Sequence, residues 1–458
     1  MKKLFLLAAL LSWQMSAHAA DLLEVYQQAQ SSDPIFQQAI ATRLSTREGM
    51  PISLSAILPN INVTANPSVT RSGFSGTNFS TTSNVTPGTI SPRNNTQRAY
   101  TLTLTVTQTV FNFAQFFAVA GQVALAKGAD ATLNAALQNL MTRVASAYFA
   151  ILLDEENLSY NASSKIAYAK QLEQAKQQYN VGLKTLTDVY TAQASYDSAK
   201  ANYIAAQTKL ANDRENLRVI TGVYYPQLST LSEDFPLVDP KPAVVDAWVN
   251  KAISQNWTIK AAQYNAESAK QTIHQQFAGH LPTVSFQGTL DRQYFDNTNG
   301  YTTLNQRNGP GTQTDRAIQF NLMMPLFAGG GVVAQTNQAT YNYQLAQQQL
   351  EQTVRSTANT TRQSYLNILS GISQIHADKE AVKSSKSSLA GMEASYRVGT
   401  EILVNVLNQQ QKVLQAQTQY ANDRYAFVNN ILALKQAAGT LSFDDLRAIN
   451  RWLVSGGE

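Results

Sequence analysis

Two kinds of hydrophobic pattern alternate along the chain. In four stretches apolar residues recur at every second position. Ile61, Val63, Ala65 and Val69 interleave with Asn62, Thr64, Asn66, Ser68 and Thr70, and Leu102, Leu104 and Val106 interleave with threonines. Val284, Phe286, Gly288 and Leu290 form the third stretch, and Ile318, Phe320, Leu322 and Met324 the fourth. A period of two predicts strands with one apolar and one polar face. Elsewhere the period is seven. Ile151, Leu158, Lys165, Leu172 and Tyr179 are matched by Ile368, Ile375, Val382, Leu389 and Tyr396. Val189, Tyr196, Tyr203, Leu210 and Leu217 are matched by Val406, Val413, Tyr420, Phe427 and Leu434. Ala192, Ala199 and Ala206 fall between the large residues of the first set, which gives the alternating steps of a coiled-coil seam.

Proline placement agrees with this division. No proline lies between Pro92 and Pro226, and none follows Pro325. Since proline costs about 3 kcal/mol in a helix interior, these intervals suit long helices. A helix of about 65 residues reaches roughly 100 Å. The proline-rich regions are expected to hold polar loops and the short alternating stretches.

The matched heptads belong to a duplication. Tyr179-Asn180-Val181-Gly182 corresponds to Tyr396-Arg397-Val398-Gly399, 217 residues on, and the same shift relates Tyr148 to Tyr365 and Gly222 to Gly439. Leu58-Pro59 corresponds to Leu281-Pro282 at 223, and Val110-Phe111 to Leu326-Phe327 at 216. The expected organisation is a first repeat over 20–225, with a strand pair near 59–110 and a helical hairpin near 112–222. A linker at 226–245 precedes a second repeat over 246–440, with strands near 282–327 and a hairpin near 332–439. A tail at 441–458 completes the chain.

The first 19 residues change where this protein is expected to work. Lys2 and Lys3, the apolar run Leu4 to Leu11 and Ala17-His18-Ala19 are the parts of a secretory signal peptide. The run is too short to span a bilayer as a helix, which needs about 20 residues. Only 14% of the 458 residues are charged, and the net charge of +5 (35 minus 30) is spread thinly. A basic stripe for nucleic acid is therefore not expected. There is no cysteine, which removes disulfides, thiol nucleophiles and thiolate metal sites.

Each alternating stretch is about 10 residues, the length of a tilted strand crossing a bilayer. The strands of each pair are joined by long polar loops, Ser72 to Gln97 and Arg292 to Thr314. Four strands cannot close a barrel, and lipid tolerates no open sheet edge. The chain is therefore expected to assemble, as a dimer with eight strands or a trimer with twelve. The competing reading is a secreted coiled-coil structural or adhesive protein with a soluble sheet and no channel.

Strand pair, helical hairpin, linker, strand pair and helical hairpin, behind a signal peptide, resemble the TolC family of bacterial outer-membrane efflux proteins. The residues that carry the resemblance are the two Leu-Pro entries to strands, Gln108-Thr109-Val110-Phe111 and Pro325 to Gly330 where strand passes to helix, Tyr-x-Val-Gly at both hairpin turns, and Gly222 and Gly439 closing the hairpins. The resemblance implies an α+β membrane protein. Its homotrimer closes a twelve-stranded transmembrane β-barrel, continued by a periplasmic α-helical barrel with a mixed equatorial belt built from the linker and the tail. It further implies an outer-membrane exit duct for drugs, toxins or proteins. Such a duct serves an inner-membrane transporter of RND, ABC or MFS type through a periplasmic adaptor.

The family's gate lies at the turns after Tyr-x-Val-Gly. By resemblance, Asp188 and Tyr396 match gate residues, while Glu401, Asn405 and Asn408 stand where the best-known member has an arginine and two aspartates. Amide rings in place of acidic rings put strong cation selectivity in doubt. Lys184 and Glu401, equivalent in the two halves, are expected either to link across the tip in place of the arginine or to be solvated turn charges. Val181, Gly182, Val398 and Gly399 are the expected adaptor contacts.

Catalytic chemistry is not visible. After the leader, His274, His280 and His376 remain, and none has metal-ligand spacing with an acidic partner. Gly329-Gly330-Gly331 lacks the Gly-Lys-Ser/Thr of a phosphate loop and suits a hinge or sharp turn. Phe111, Phe113, Phe116, Phe117 and Phe327 suit either an aromatic girdle at the membrane boundary or core packing. No enzyme, cofactor or metal is expected.

Overall fold

The computed structural model describes residues 19–74, 93–298 and 310–454. The expected leader, up to His18, and the centres of both long polar loops lie outside them. The elements in chain order are α1 (Leu22–Ser32), α2 (Pro34–Ser55), β1 (Asn60–Phe74), β2 (Arg93–Phe111), α3 (Phe113–Asn180), α4 (Leu186–Thr221), β3 (Thr230–Leu231), α5 (Val245–Gln255), α6 (Trp257–Phe277), β4 (Thr283–Thr298), β5 (Gly311–Met323), α7 (Gly331–Arg397), α8 (Leu403–Ala437), α9 (Phe443–Asn450) and β6 (Leu453–Val454). The chain divides into two compact units, one comprising residues 45–127 with 264–347 and the other the remainder.

The first of these units holds an antiparallel sheet in the order β1-β2-β4-β5. Its register aligns the four alternating stretches. Val63 faces Leu104, which faces Leu290, while Val106 faces Gly288, which faces Ile318, and Phe286 faces Phe320. Directly opposed residues share a face, so the apolar positions of all four strands fall on one side. On the other side Thr64 faces Thr103 and Gln319 donates to Gln287 at 2.8 Å. The apolar side is open in the single chain, with Ile318, Phe320 and Leu322 each about 70% exposed (76, 69 and 72%). A soluble sheet does not leave such a face uncovered.

The strands are longer than the alternation alone predicts, at 15, 19, 16 and 13 residues. Pairing runs past the apolar positions into the expected loops, from Arg71↔Thr96 to Phe74↔Arg93 and from Gln97↔Asn297 to Thr96↔Thr298. Ladder hydrogen bonds are indifferent to side-chain polarity, so the sequence marks only the part of the ladder with an apolar face.

In the other unit, the coiled-coil heptad positions are buried or half-buried, with Tyr179 at the tip exposed. Tyr148, Ile151, Leu210 and Leu217 lie in one cluster with α1 and α9, and Tyr365, Ile368, Phe427 and Leu434 pack with Trp248 of α5. Gly222 adopts φ 71° as the cap of α4, and Gly439 adopts φ 70° just after α8. Gly439 has a second constraint, since a Cβ there would stand 2.6 Å from the carbonyl of Gln255. The linker and tail meet as the two-stranded ladder β3-β6. The Tyr148 hydroxyl donates to the carbonyls of Ser229 (2.7 Å) and Ala20 (3.1 Å), which ties that ladder and the start of the described chain to α3.

Two helix pairs fall outside the expected organisation. Residues 22–55 and 245–277 are helical; Pro34 and Pro51 suggest loops in the first stretch, and the second holds no proline but falls in neither repeated pattern. Pro34 is the first residue of α2, where its missing N–H has no helical partner to lose, and Pro51 sits inside α2 four residues from its end. The two pairs are themselves duplicated: α1 and α5 begin 223 residues apart, as do α2 and α6.

Candidate functional site at the helix tips

Both hairpin turns are built the same way. After α3, the Gly182 N–H donates to the Tyr179 carbonyl (2.9 Å) and the Leu183 N–H to the Gln178 carbonyl (2.9 Å). After α7, Gly399 donates to Tyr396 (3.1 Å) and Thr400 to Ser395 (3.0 Å). These bonds satisfy the last carbonyls of each helix and need a left-handed residue. Gly182 and Gly399 supply it at φ 77° and 86°, with open space where a Cβ would go. Val181 and Val398 between them are 69 and 76% exposed, which leaves a bare apolar residue at each turn.

The next helix starts differently in the two halves. On α4 a capping box forms: the Asp188 N–H donates to Thr185 Oγ1 (3.3 Å), and the Thr185 N–H donates back to Asp188 Oδ2 (3.1 Å). On α8 the Glu401 carboxylate accepts from the Ile402 N–H (2.8 Å) and the Asn405 side-chain amide (2.7 Å). These two hydrogen bonds hold the Glu401 carboxyl below its ordinary range. Negative charge at a helix start is also favoured by the aligned peptide dipoles.

Between the hairpins lies Tyr396, 7% exposed. Its hydroxyl donates to Gln178 Oε1 on α3 at 2.9 Å, and the Lys184 ammonium stands 4.8 Å from its ring centroid. Burial, and secondarily the negative charge of Asp188, push the phenol above its usual range. Deeper in the same seam, the Tyr168 hydroxyl donates to the Leu407 carbonyl at 3.1 Å. Tyr168 and Tyr396 pack with Leu172, Ala175, Leu403 and Val406 in one apolar cluster drawn from all four long helices. Beside it runs a groove of about 640 Å³, lined by Ser164, Tyr168, Tyr190, Ser195, Asn408 and Gln411 among others.

The structure thus brings Lys184 and Asp188 near Tyr396 and joins Glu401 to Asn405. Asn408 lies apart from both sets, on the groove. Within the chain Lys184 and Glu401 form no ion pair among the described residues: Lys184 covers the Tyr396 ring, and Glu401 is taken up by its own helix start. Gln178 and Tyr168 were not singled out by the sequence. Tyr168 stands three after Lys165 and four before Leu172, the intermediate seam position that Ala192 and Ala199 hold on α4, so the period could have marked it; Gln178 is one polar residue in a run of them, and nothing in the pattern marks it.

Among the described residues no helix is long and apolar enough to cross a membrane, and no group of acidic and histidine side chains could hold a metal ion. A model of the "Outer membrane efflux protein" family matches residues 25–223 and 248–440. The chain is 35% identical over 440 residues to Outer membrane protein TolC of Salmonella enteritidis, covering 95% of this chain and 85% of that one. It is 26% identical over 451 residues to the Alkaline protease secretion protein AprF of Pseudomonas aeruginosa, covering 98 and 90%. Its fold superposes on the outer membrane protein VceC of Vibrio cholerae with a TM-score of 0.72 at 21% identity, over 91% of this chain and 96% of that one. These likenesses run through both sheet and helices, which sets aside the secreted coiled-coil reading. The chain belongs to the outer membrane efflux protein family, and it is an exit duct of the bacterial outer membrane for efflux and type I secretion rather than an enzyme.

Proposed function

We propose that the helix tips, with Asp188, Tyr396, Lys184, Glu401, Asn405 and Asn408, form the periplasmic gate of a homotrimeric duct. In the assembly three four-stranded sheets close a barrel of twelve strands in outer-membrane lipid. Unpaired edges on β1 and β5 and the bare apolar face support closure by further copies of the chain. Residues up to Ala19 are the leader that routes the protein out of the cytoplasm. The exposed Val181 and Val398 with their glycines are the surface met by a periplasmic adaptor, which joins the duct to an inner-membrane transporter of RND, ABC or MFS type.

The observation that carries the gate is the Tyr396–Gln178 hydrogen bond, because it joins the two hairpins of one chain at their tips. With Lys184 over the ring, it is a polar latch at the tip end of a seam that carries the Tyr168–Leu407 hydrogen bond deeper in, and parting the hairpins at the tip costs that bond and the ring contact. Dilation of the tip then needs no chemistry in the duct itself. The experiment is single-channel conductance of the purified oligomer in a planar bilayer. Tyr396→Phe is expected to raise the mean conductance and the frequency of wide-open events. Conductance identical to the parent protein in both Tyr396→Phe and Gln178→Leu would remove the latch from the gate.

A further inference from the structure

An arginine marks the same end of the apolar band on every strand of the four-stranded sheet. On β1, Arg71 stands two residues beyond Val69, and on β4, Arg292 stands two beyond Leu290. On the oppositely directed β2 and β5, Arg98 stands two before Tyr100 and Arg316 two before Ile318. A spacing of two keeps each arginine on the face of its apolar neighbour. The ladder shows the same across strands, where Arg98 faces Val69, Arg292 faces Leu102 and Arg316 faces Leu290. Past the arginines this face turns polar, with Thr96, Thr312 and Thr314. Since β1 runs away from α2 and β5 runs towards α7, the arginines lie at the end of the sheet away from the helices.

The four positions form an oblique line. Arg316 lies in the row of Val63, Arg292 in the row of Ala65 and Arg98 in the row of Val69, and Arg71 is one row further. A membrane plane crosses strands tilted by about 35–45° in the same oblique way. A guanidinium on the lipid face is costly at the bilayer centre and nearly free at its boundary, so the line marks where the hydrocarbon ends. Tyr100 and Tyr294 lie along it, 58 and 42% exposed, with ring centroids 6.3 Å apart. Amphipathic rings favour that depth.

All four arginine side chains are exposed, and among the described residues none enters an ion pair or hydrogen bond. One carboxylate shares their face, Asp296 opposite Arg98, while Asp291 and Asp315 fall on the polar face beside Thr103. Each chain therefore carries an excess of unpaired positive charge at this boundary.

We propose that the arginine line is a collar that binds phosphate-bearing lipid headgroups in the leaflet of the outer membrane away from the periplasm. This rests on the barrel proposed above, in which the apolar face meets lipid and the helices occupy the periplasmic side. A guanidinium grips phosphate oxygens through two parallel N–H···O bonds. One such fork on each strand, at the depth where headgroups begin, offers these bonds all round the barrel.

The test is native mass spectrometry of the full-length detergent-solubilised oligomer, titrated with a bis-phosphorylated glucosamine lipid and with the same lipid after dephosphorylation. Saturable adducts are expected with the phosphorylated lipid, and binding at least tenfold weaker without the phosphates. Arg71→Gln/Arg98→Gln/Arg292→Gln/Arg316→Gln is expected to lose the same tenfold, and the oligomer's own mass in that spectrum shows whether the variant assembled. The comparison of the two lipids on the parent protein needs no variant. Equal binding of both lipids, undiminished binding in the assembled variant, or displacement of the lipid by inorganic phosphate overturns the collar. Those results from a parent protein that inserts into planar bilayers and conducts would leave the duct standing. A parent protein that does not insert would remove the barrel and the collar with it.

Discussion

Asp33 and Asn256 stand 223 residues apart and perform the same task. Asp33 Oδ2 accepts the Phe36 N–H at 2.9 Å at the start of α2, and Asn256 Oδ1 accepts the Thr258 and Ile259 N–H groups at 2.8 and 3.2 Å at the start of α6. Each also makes one long-range contact. Asp33 is 1% exposed and pairs with Arg143 of α3, and the Asn256 amide donates to the Ala437 carbonyl at 2.9 Å. The duplication has kept the helix start and changed its partner from a charge to a carbonyl.

That difference orders two substitutions. Asn256→Ala loses a cap, typically about 1 kcal/mol, and leaves one buried carbonyl unmet. Asp33→Ala loses the same cap and also strands a half-buried guanidinium, for a total of about 2–3 kcal/mol. Chemical denaturation of the detergent-solubilised protein is expected to place both below the parent, with Asp33→Ala the lower. Equal midpoints would mean that the Arg143 pair adds nothing.

Glycines at the helix ends separate strain from collision. Gly399 and Gly439 both have positive φ, 86° and 70°. At Gly399 a methyl group meets nothing within 4 Å, whereas at Gly439 it meets Gln255 and Asn256 backbone atoms at 2.6–2.7 Å. Gly399→Ala is expected to cost about 1 kcal/mol, the left-handed penalty alone. In Gly439→Ala, α5 and α6 must move away from the end of α8. Its thermal midpoint is expected to fall several-fold further than that of Gly399→Ala, and similar shifts would show that the backbone there yields easily.

The sheet and the coiled-coil seams were legible because both are written in a strict period with an apolar face. In β1, β2, β4 and β5 the alternating apolar positions come to lie on one face of the sheet. The α1-α2 and α5-α6 pairs were not legible. α2 and α6 start on the Asp33 and Asn256 side chains, with Pro34 at a position where proline is harmless, and the apolar periods of α1 (Leu22, Val25, Tyr26, Ala29) and α5 (Trp248, Val249, Ala252) are only two turns long. At the tips, the repeat and the family resemblance point to Tyr396, Lys184 and Asp188, and Lys184 stands 4.8 Å from the Tyr396 ring centroid. Gln178 was not legible, because an acceptor supplied from the other hairpin is set by tertiary packing. The Lys184–Glu401 pairing was an inference from sequence symmetry, and within the chain each charge finds a nearer partner.

Acid behaviour follows from one buried carboxyl and one half-buried one. Burial raises both Asp154 and Asp378 to about 6, helped by the neighbouring carboxyls of Asp213 and Asp423 respectively. Asp378 Oδ2, like Asp154 Oδ2, is buried without a donor. A folded-state pKa above the unfolded value means that the folded protein takes up protons first. Stability therefore rises as the pH falls from about 7 to 5, where both groups become protonated only in the fold. Glu401 works in the opposite sense but below its ordinary range, outside that window. Denaturation midpoints between pH 7 and pH 5 are expected to climb in the parent protein and to stay flat in Asp154→Asn/Asp378→Asn. A parent midpoint that falls over this range would mean that neither carboxyl is raised in solution.

Asn405 and Asn408 are expected to differ when each is made acidic, although both are exposed and three residues apart on α8. Asn408 makes no hydrogen bond with Glu401 and lies on the groove beside the apolar cluster. Asn408→Asp therefore adds one negative charge per chain to an open position, and a ring of such charges concentrates cations at a narrow mouth. Asn405 instead donates to Glu401 Oε1. Asn405→Asp replaces that donor by a second carboxylate, so the two must share a proton or part. The added charge then appears only as the pH rises through the raised pKa of the pair. Reversal potentials across a salt gradient in a planar bilayer are expected to shift toward cation selectivity in Asn408→Asp, with little change between pH 6 and pH 8. In Asn405→Asp the shift is expected to be smaller at pH 6 than at pH 8. Identical, pH-independent shifts in both variants would show that the Glu401–Asn405 bond does not persist in the assembled duct.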